Sequence, residues 1–230
     1  GPRGAAATQA CGIGGVSDGP YASLNLASAS GDARDRVLEN RRRLCEAVGA
    51  PHPPAIPRQV LGAEVVALSE IEREADAVVA SDRDRTLLTL SADCVLVLLY
   101  CPETGVIANV HSSRHGARGE ITKKAVSRMG GGRIVAAVGP SIGPCCYEIR
   151  EDVERVWRGY GDRFLLSQSG RVHLDLWAAT RSHLEEAGVR EIDEARLCTK
   201  CTPGEFYSYR RDGERSGRFG ALIWLRSDAR

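Results

Sequence analysis

The stretch "ADCVLVLLYCPETGVIANVHSSRHGARGE", residues 92–120, contains two long apolar runs separated by a short turn sequence. The runs "CVLVLLY" and "GVIANVH" lack the apolar–polar alternation of a half-buried strand, which favours strands buried on both faces of a layered fold. The Pro-Glu-Thr-Gly segment between them has the composition of a turn. The stretch therefore predicts a β-hairpin in the core of the protein.

The predicted hairpin places Cys94, at the start of its first strand, beside His111, at the end of its second strand. In an antiparallel hairpin these two ends lie next to each other. A thiolate and an imidazole held together suit either zinc ligation or a cysteine nucleophile activated by a histidine. The alternative is that Cys94 packs in the core and His111 only ends a strand, and the spacing alone does not decide between them.

Around this hairpin the sequence alternates between strand and helix patterns. Asp32 is predicted to cap the first helix, and Gly49 to end it. No internal repeat or linker divides the chain. Helices are predicted over 33–49, 121–129, 148–157 and 174–188, and strands over 58–68, 75–81, 86–100, 105–111, 133–140, 191–198 and 219–225.

Composition limits the class of protein. The chain has 230 residues, 43% of them apolar, which indicates one domain over residues 1–230. Its formal net charge of +1 argues against nucleic-acid or membrane partners, which select basic surfaces. No apolar run approaches the ~20 residues of a membrane-spanning helix. The first residues also lack the apolar segment of an export signal, so we expect a cytoplasmic protein.

The eight cysteines are expected to be thiols or metal ligands rather than disulfides, because an export signal is lacking. Cys145 and Cys146, together with Cys198 and Cys201, form two close pairs that could supply a four-thiolate zinc site. Against this, adjacent side chains diverge in a strand, which makes neighbouring cysteines poor joint ligands. The sequence therefore favours separate thiols over a structural zinc site.

Several motifs together resemble the laccase-domain family, which is labelled multicopper polyphenol oxidase, treated as zinc-dependent purine nucleoside phosphorylases, and also named peptidoglycan editing factor. The motifs occur in the family's order and spacing over almost the whole chain. They include "GGVSDGPYASLNL", "QVLG", "ADAVV", "ADCVLVLL", "GVIANVH", "VGPSIGPCCYEI", "CTKC" and "FYSYRRDGERSGRFGALIWL".

The resemblance implies both a fold and a reaction. The implied fold is α+β, with two mixed β-sheets packed face to face between helical layers (αββα), like the catalytic domain of cytotoxic necrotizing factor toxins. The implied reaction is phosphorolysis of purine nucleosides such as adenosine, inosine and guanosine. The substrates would then be a small-molecule nucleoside and phosphate.

The resemblance also implies a zinc site, which this sequence matches only in part. The family's ligands are a histidine in "QVHG", the cysteine in "ADC" and the histidine that opens "HAGWRG". Cys94 and His111 match the second and third ligands, whereas Leu61 in "QVLG" stands where the first histidine is expected. Because leucine has no donor atom, zinc is predicted as the cofactor but is expected to bind weakly or not at all.

A replacement ligand for Leu61 is sought among the remaining donors. After His111 the chain reads Ser-Ser-Arg-His-Gly, so Arg114 and His115 replace the family's tryptophan and arginine. His115 is the first candidate, giving the ligand set Cys94, His111 and His115. His52 in a Pro-rich loop and Cys11 beside a glycine-rich turn are the other candidates.

The family motifs also suggest residues for catalysis and substrate binding. Gly12 stands where the family has an arginine, which removes one expected anion contact. Arg114 would compensate only if it points into the same pocket. The catalytic candidates are Cys94, His111 and the adjoining Asp93, and the substrate-binding candidates are Ser23, Asn25, Arg114, Tyr209, Arg210 and Arg211.

Two alternatives to phosphorolysis remain open. The first is a metal-independent Cys94–His111 hydrolase or amidase that acts in editing of peptidoglycan precursors. The second is a non-catalytic homologue that retains the fold. Copper-dependent phenol oxidation is disfavoured, because a multicopper site needs many histidines and this chain has five, which are scattered.

Overall fold

A computed structural model describes residues 4–226 of the chain. The six helices of this part are α1 (Arg34–Val48), α2 (Arg114–Arg118), α3 (Ile121–Arg128), α4 (Glu151–Gly161), α5 (Leu176–Glu186) and α6 (Tyr209–Asp212). The strands are β1 (Ala5–Ala10), β2 (Val65–Ala67), β3 (Ala77–Ala80), β4 (Thr86–Ser91), β5 (Val95–Cys101), β6 (Val106–Ser112), β7 (Val135–Val138), β8 (Leu165–Gln168), β9 (Arg171–Leu174), β10 (Glu191–Glu194) and β11 (Phe219–Leu225). Within residues 4–226, no helix has the length and apolar character needed to cross a membrane.

The strands form two main sheets and a separate β8–β9 hairpin. The larger sheet has the order β10-β7-β5-β6-β3-β2, and the smaller has the order β1-β11-β4. The larger sheet is mixed, because β10 and β7, and also β2 and β3, run parallel while the other pairs run antiparallel. The three strands of the smaller sheet are antiparallel, since β1 and β4 both run opposite to β11, and Ala55 adds an isolated parallel bridge to Leu87 of β4. The prediction of mixed sheets is therefore clearest in the larger sheet, whereas parallel pairing in the smaller sheet is limited to this bridge.

The sheets pack face to face between helices, as expected from the family resemblance. Alternate residues of β5 explain how: Leu96 and Leu98 enter the apolar cluster between the two sheets, while Val97 and Leu99 enter the cluster beneath the helices. That second cluster includes Trp157 of α4 and residues of α3 and α5. A third cluster joins α1 to the outer face of the smaller sheet. Because β5 is covered on both faces, its sequence is almost continuously apolar.

The hairpin prediction is confirmed, but the strand predicted before it is not continuous. β5 pairs antiparallel with β6, with Leu96 opposite His111. The predicted strand 86–100 is interrupted at Asp93, whose φ of 97° lies in the left-handed region. The chain passes there from β4 in the smaller sheet to β5 in the larger sheet. Both halves are buried, so the sequence shows no change in polarity at the crossing.

Helix α1 ends as predicted, but its N-terminus is not capped as predicted. Gly49 ends the helix with a φ of 66°, as predicted. Asp32 does not cap it, because the N-cap position is Ala33 and carries no side-chain hydrogen bond. The Asp32 carboxylate accepts hydrogen bonds from Ser17 Oγ and Asn25 Nδ2 instead. The sequence reasoning also did not predict β1, β8 and β9.

We predict that acid destabilises the protein through His183 of α5. Its Nε2 lies 2.7 Å from the Tyr160 hydroxyl, and burial together with the Lys123 charge lowers its pKa. An unfolded histidine titrates near ~6.5, above the pKa of folded His183, so the unfolded chain binds protons more tightly. The contribution of neutral His183 to the free energy of unfolding is therefore present above that pH and is lost as the pH falls below it. Urea unfolding at about pH 7.5 and about pH 5.5 measures this loss. The loss should shrink in His183→Gln, and an equal loss in both proteins would contradict the prediction.

Candidate functional site

The β5–β6 hairpin brings Cys94 and His111 into contact, as the sequence predicts. Cys94 lies two residues before Leu96, which pairs with His111 across the hairpin, so all three side chains lie on the same face. The Cys94 thiol lies close enough to the His111 ring to interact with it electrostatically. His111 is buried, and Cys94 is half-buried. The pair therefore forms a partly accessible site at the end of the hairpin.

Asp76, immediately before β3, fixes the orientation of the His111 ring. Its Oδ1 lies 2.7 Å from Nδ1 of His111, and its side chain is completely buried. The same carboxylate accepts backbone N–H groups of Val60, Leu61 and Gly62 at 3.2, 3.1 and 2.8 Å. Because Asp76 occupies Nδ1, Nε2 is the nitrogen left for Cys94 or a ligand. Asp76 is a site residue that the sequence reasoning missed.

The electrostatics at His111 favour a positive charge. Burial of the ring opposes protonation, but the interaction with Cys94 and the hydrogen bond to Asp76 outweigh it and raise the pKa of His111 to about 9. The Asp76 carboxylate on one side and Cys94 on the other thus stabilise a cation between them. A bound metal ion would satisfy the same requirement.

Leu61 lies beside Asp76, at the position where the family resemblance implies a histidine. Its backbone N–H shares Asp76 Oδ1 with His111, and its carbonyl accepts a hydrogen bond from Ser113 Oγ at 3.1 Å. Its φ is 60°, which is uncommon for leucine and better tolerated by histidine. The residue is 52% exposed, so its apolar side chain gains little from burial. The predicted strand 58–68 is consequently wrong in its first half, which is a turn around Asp76.

The structure does not bring His115 into a ligand set with Cys94 and His111. His115 is exposed on α2, and its Nε2 accepts a hydrogen bond from Arg114 Nε at 3.2 Å. Partial burial and the charges of Arg114 and Arg118 lower its pKa. α2 begins directly after β6, which directs His115 outward. Within residues 4–226, neither His115, His52 nor Cys11 belongs to a group of three metal-binding side chains.

Tyr147 interacts electrostatically with Cys94 and with the guanidinium groups of Arg114 and Arg210, and the Arg218 guanidinium also interacts with Cys94. The Arg210 guanidinium carbon lies 4.9 Å from the Tyr147 ring centre, and its Nη1 donates to Glu148 O at 2.7 Å. Burial is the main reason that the pKa of Tyr147 is raised, and the interaction with Cys94 adds to it. Burial lowers the pKa of Arg218, although its interactions with Cys94 and Asp93 act in the opposite direction. Clustered guanidinium groups suit a phosphate or carboxylate. Neither residue was predicted as a site residue from the sequence, although Tyr147 lies in the motif "GPCCYEI" and Arg218 lies in the motif "SGRFGALIWL".

The carboxylate of Asp93, a predicted catalytic residue, is engaged in hydrogen bonds to two distant segments. Its Oδ1 accepts a hydrogen bond from Thr199 Oγ1 at 2.6 Å, and its Oδ2 accepts one from the Arg210 N–H at 2.7 Å. Both oxygens are therefore occupied in a side chain that is almost fully buried. These hydrogen bonds hold Asp93, which directly precedes Cys94, in its left-handed backbone conformation. Strained backbone of this kind is common at functional sites.

Asn25 supports the site from behind and is not placed to bind substrate, contrary to the prediction. It is fully buried, and its Oδ1 accepts N–H groups of Ala27 and Arg218. Its Nδ2 donates to Ala27 O, Ser30 Oγ and Asp32 Oδ2. With its hydrogen-bonding capacity occupied, Asn25 holds the backbone of Arg218.

Ser23 and Arg211, two of the predicted substrate-binding residues, also hold loops together. Ser23 Oγ donates to Gly12 O and accepts from Gly15 N. Arg211 donates to backbone carbonyls and to its neighbouring Asp212. Tyr209, by contrast, is 48% exposed, with the Arg218 guanidinium carbon 5.9 Å from its ring centre. Arg210 Nη1 likewise donates to a backbone carbonyl, that of Glu148, so Tyr209, Arg210 and Arg211 all remain substrate-binding candidates.

The four cysteines of the two close pairs come together, contrary to the expectation of separate thiols. The Sγ atoms of Cys145, Cys146, Cys198 and Cys201 all lie within 4.8 Å of one another, and the group could hold a metal ion. The expectation was wrong because residues 144–146 form a turn and not a strand, so neighbouring side chains converge.

Comparison with known proteins identifies the family. The chain matches the family model described as multi-copper polyphenol oxidoreductase laccase over residues 7–226. The chain belongs to this family. Within the laccase family, a relative from Deinococcus radiodurans named purine nucleoside phosphorylase is 43% identical over 220 residues, covering 92% of this chain and 86% of the relative.

Other members of the laccase family align over nearly the full length. The purine nucleoside phosphorylase YfiH of Escherichia coli (strain K12) is 32% identical over 241 residues, covering 97% of this chain and 95% of the relative. The crystal structure of YlmD from Geobacillus stearothermophilus superposes with a TM-score of 0.90 at 32% identity, covering 97% of this chain and 93% of that structure. The α+β fold with a mixed sheet is therefore shared with solved relatives.

Proposed function

We propose that this laccase-family chain is a purine nucleoside phosphorylase-like enzyme that cleaves adenosine-, inosine- or guanosine-type nucleosides with phosphate. The observation that carries the proposal is a set of guanidinium groups near Cys94: Arg218 interacts with Cys94, and Arg114 and Arg210 interact with Tyr147, which itself interacts with Cys94. The names of the aligned relatives support the same activity.

The guanidinium groups supply what phosphorolysis requires. Phosphate approaches the reaction as an anion, and forked hydrogen bonds from arginine hold and orient it. Its oxygen attacks C1′ of the ribose while the bond to the purine nitrogen breaks, giving ribose 1-phosphate and the free base. The sugar carbon becomes positive as this bond breaks, so an adjacent phosphate anion stabilises the transition state. The half-exposed ring of Tyr209 offers a stacking surface for the purine.

Zinc, the cofactor implied by the family resemblance, fits these residues only in part. Cys94 and His111 Nε2 are suitable donors, and a bound zinc would supply a Lewis acid. Catalytic zinc has three protein ligands, and Leu61 stands at the third position. We therefore infer an altered, weakly binding zinc site, and we assign no reaction step to the metal.

A second candidate function follows from the spatial arrangement in which His111 lies between Cys94 and Asp76. A nucleophile beside a base that a third group orients is the arrangement of cysteine hydrolases. A hydrolase or amidase of this kind needs no metal. Inactivation by iodoacetamide combined with insensitivity to chelators would favour it over phosphorolysis. A non-catalytic homologue would bind nucleosides without turnover.

We predict phosphate-dependent release of purine base and ribose 1-phosphate from inosine or adenosine. Cys94→Ser should lower kcat/KM at least about 100-fold, because it removes a group at the reacting centre. Cys45→Ala, in the core beneath α1, is the matched control and should leave kcat/KM nearly unchanged. Base release that does not require phosphate would contradict phosphorolysis and favour hydrolysis. Absence of turnover under both conditions would favour the non-catalytic homologue.

A further inference from the structure

The cysteine group, defined as Cys145, Cys146, Cys198 and Cys201, is a second cluster of metal-binding atoms that phosphorolysis does not use. All four cysteines are free. The Sγ–Sγ distance is 3.8 Å between Cys145 and Cys201 and 3.3 Å between Cys146 and Cys201. With zinc–sulfur bonds of ~2.3 Å, tetrahedral geometry places neighbouring sulfurs ~3.8 Å apart. The group is thus close to the spacing of a four-thiolate zinc site.

Two backbone segments present these sulfurs from fixed positions. Residues 141 and 198 form a parallel bridge, with Ser141 N donating to Leu197 O and Thr199 N donating to Ser141 O, both at 3.1 Å. The Cys201 N–H bonds to the Cys198 carbonyl at 3.1 Å, which closes a turn of the Cys-x-x-Cys type found in zinc sites. Each segment contributes two thiols, so the ligands are held before any metal binds.

One backbone donor points at the cysteine group, because Gly143 N donates to Cys198 Sγ at 3.3 Å. A hydrogen bond from a backbone N–H stabilises a thiolate. Four thiolates this close repel one another unless a positive charge lies between them.

We propose that the cysteine group binds one Zn²⁺ as a structural four-thiolate site, separate from Cys94 and His111. Four soft sulfur donors in tetrahedral arrangement suit zinc, and each thiol that binds gives up its proton to solvent. The metal would fasten the segment 197–202 to the segment 141–146. Thr199, between Cys198 and Cys201, donates to Asp93 Oδ1 at 2.6 Å, so the zinc would also position the residue that precedes Cys94.

Metal content and thiol accessibility test this proposal without reference to enzyme activity. The protein, purified without metal-affinity resin and dialysed with zinc, is expected to retain about one tightly bound zinc per chain. Replacement by Co²⁺ should give strong thiolate-to-cobalt charge-transfer absorption. Both signals should vanish in Cys145→Ser/Cys201→Ser and persist in Cys94→Ser and in the control Cys45→Ala.

Titration of the unmodified protein with a mercurial reagent covers the case in which the double variant does not fold. Zinc release should then follow the modification of thiols in step, and chelation should lower the Tm. A disulfide within the cysteine group, iron in place of zinc, or the same zinc content in Cys145→Ser/Cys201→Ser would overturn the proposal. Because Cys94 is not involved, these outcomes are distinguishable from a failure of phosphorolysis.

Discussion

Replacement of Asp76 by asparagine is expected to lower the free energy of unfolding by about 3 kcal/mol, the scale for breaking a buried ion pair. The Asp76 side chain is completely buried, and it accepts hydrogen bonds from three backbone N–H groups while pairing with His111. An asparagine would present an NH₂ group to at least one of these donors and leave that donor unsatisfied. It would also remove the negative charge that stabilises a protonated His111.

Urea unfolding near neutral pH measures this loss. Glu74→Gln is the matched control, because Glu74 is an exposed carboxylate two residues away that pairs only with Arg58 at the surface. Exposed ion pairs contribute at most about 1 kcal/mol, so the control should unfold close to the unmodified protein. Equal stability of Asp76→Asn and Glu74→Gln would show that the Asp76–His111 pair does not hold the turn at residues 60–62.

The sequence was sufficient to predict the core hairpin and the meeting of Cys94 and His111. The hairpin follows from local features, namely two apolar runs and a turn sequence, and antiparallel pairing then fixes which ends meet. The break at Asp93 was not predictable in this way. Its cause is tertiary: the chain changes from one sheet to the other, and Thr199 and Arg210 from distant segments hold the Asp93 carboxylate.

Residues near the site could be recognised by motif more easily than their roles could be assigned. Asn25 lies in a family motif, but its hydrogen bonds hold backbone and leave no capacity for a substrate. Asp76 and Arg218 also lie in family motifs and contribute directly to the charge balance at Cys94 and His111. Burial and hydrogen-bond partners separate these two classes, and neither is visible in an amino-acid sequence.

The cysteine group shows how a local rule fails when the backbone changes. Divergence of adjacent side chains holds for a strand, whereas residues 144–146 form a turn. In the turn, Cys145 and Cys146 both face Cys201 of a segment more than fifty residues away. A pair that is a poor ligand set in a strand therefore becomes half of a compact four-sulfur cluster.

The substitution Leu61→His is expected to raise the zinc affinity of the Cys94–His111 site at least about 100-fold, since even groups that only orient zinc ligands contribute about 10- to 100-fold. The backbone is already suited to histidine, because residue 61 has a φ of 60° and its N–H is fixed to Asp76 beside His111. A third nitrogen donor would complete the set of three protein ligands found in catalytic zinc sites. Nucleoside turnover is not expected to rise in proportion, because Gly12 and His115 also differ from the family pattern.

Zinc titration separates this site from the cysteine group when both proteins carry Cys145→Ser/Cys201→Ser. Leu61→His in that background should retain zinc after dialysis, while the background itself and the control Leu61→Ala should lose it. The control removes the same apolar side chain without adding a donor, so it distinguishes coordination from relief of crowding. Near-stoichiometric zinc on the unmodified Cys94–His111 pair would contradict the prediction, because two protein donors would then suffice where catalytic zinc sites commonly have three.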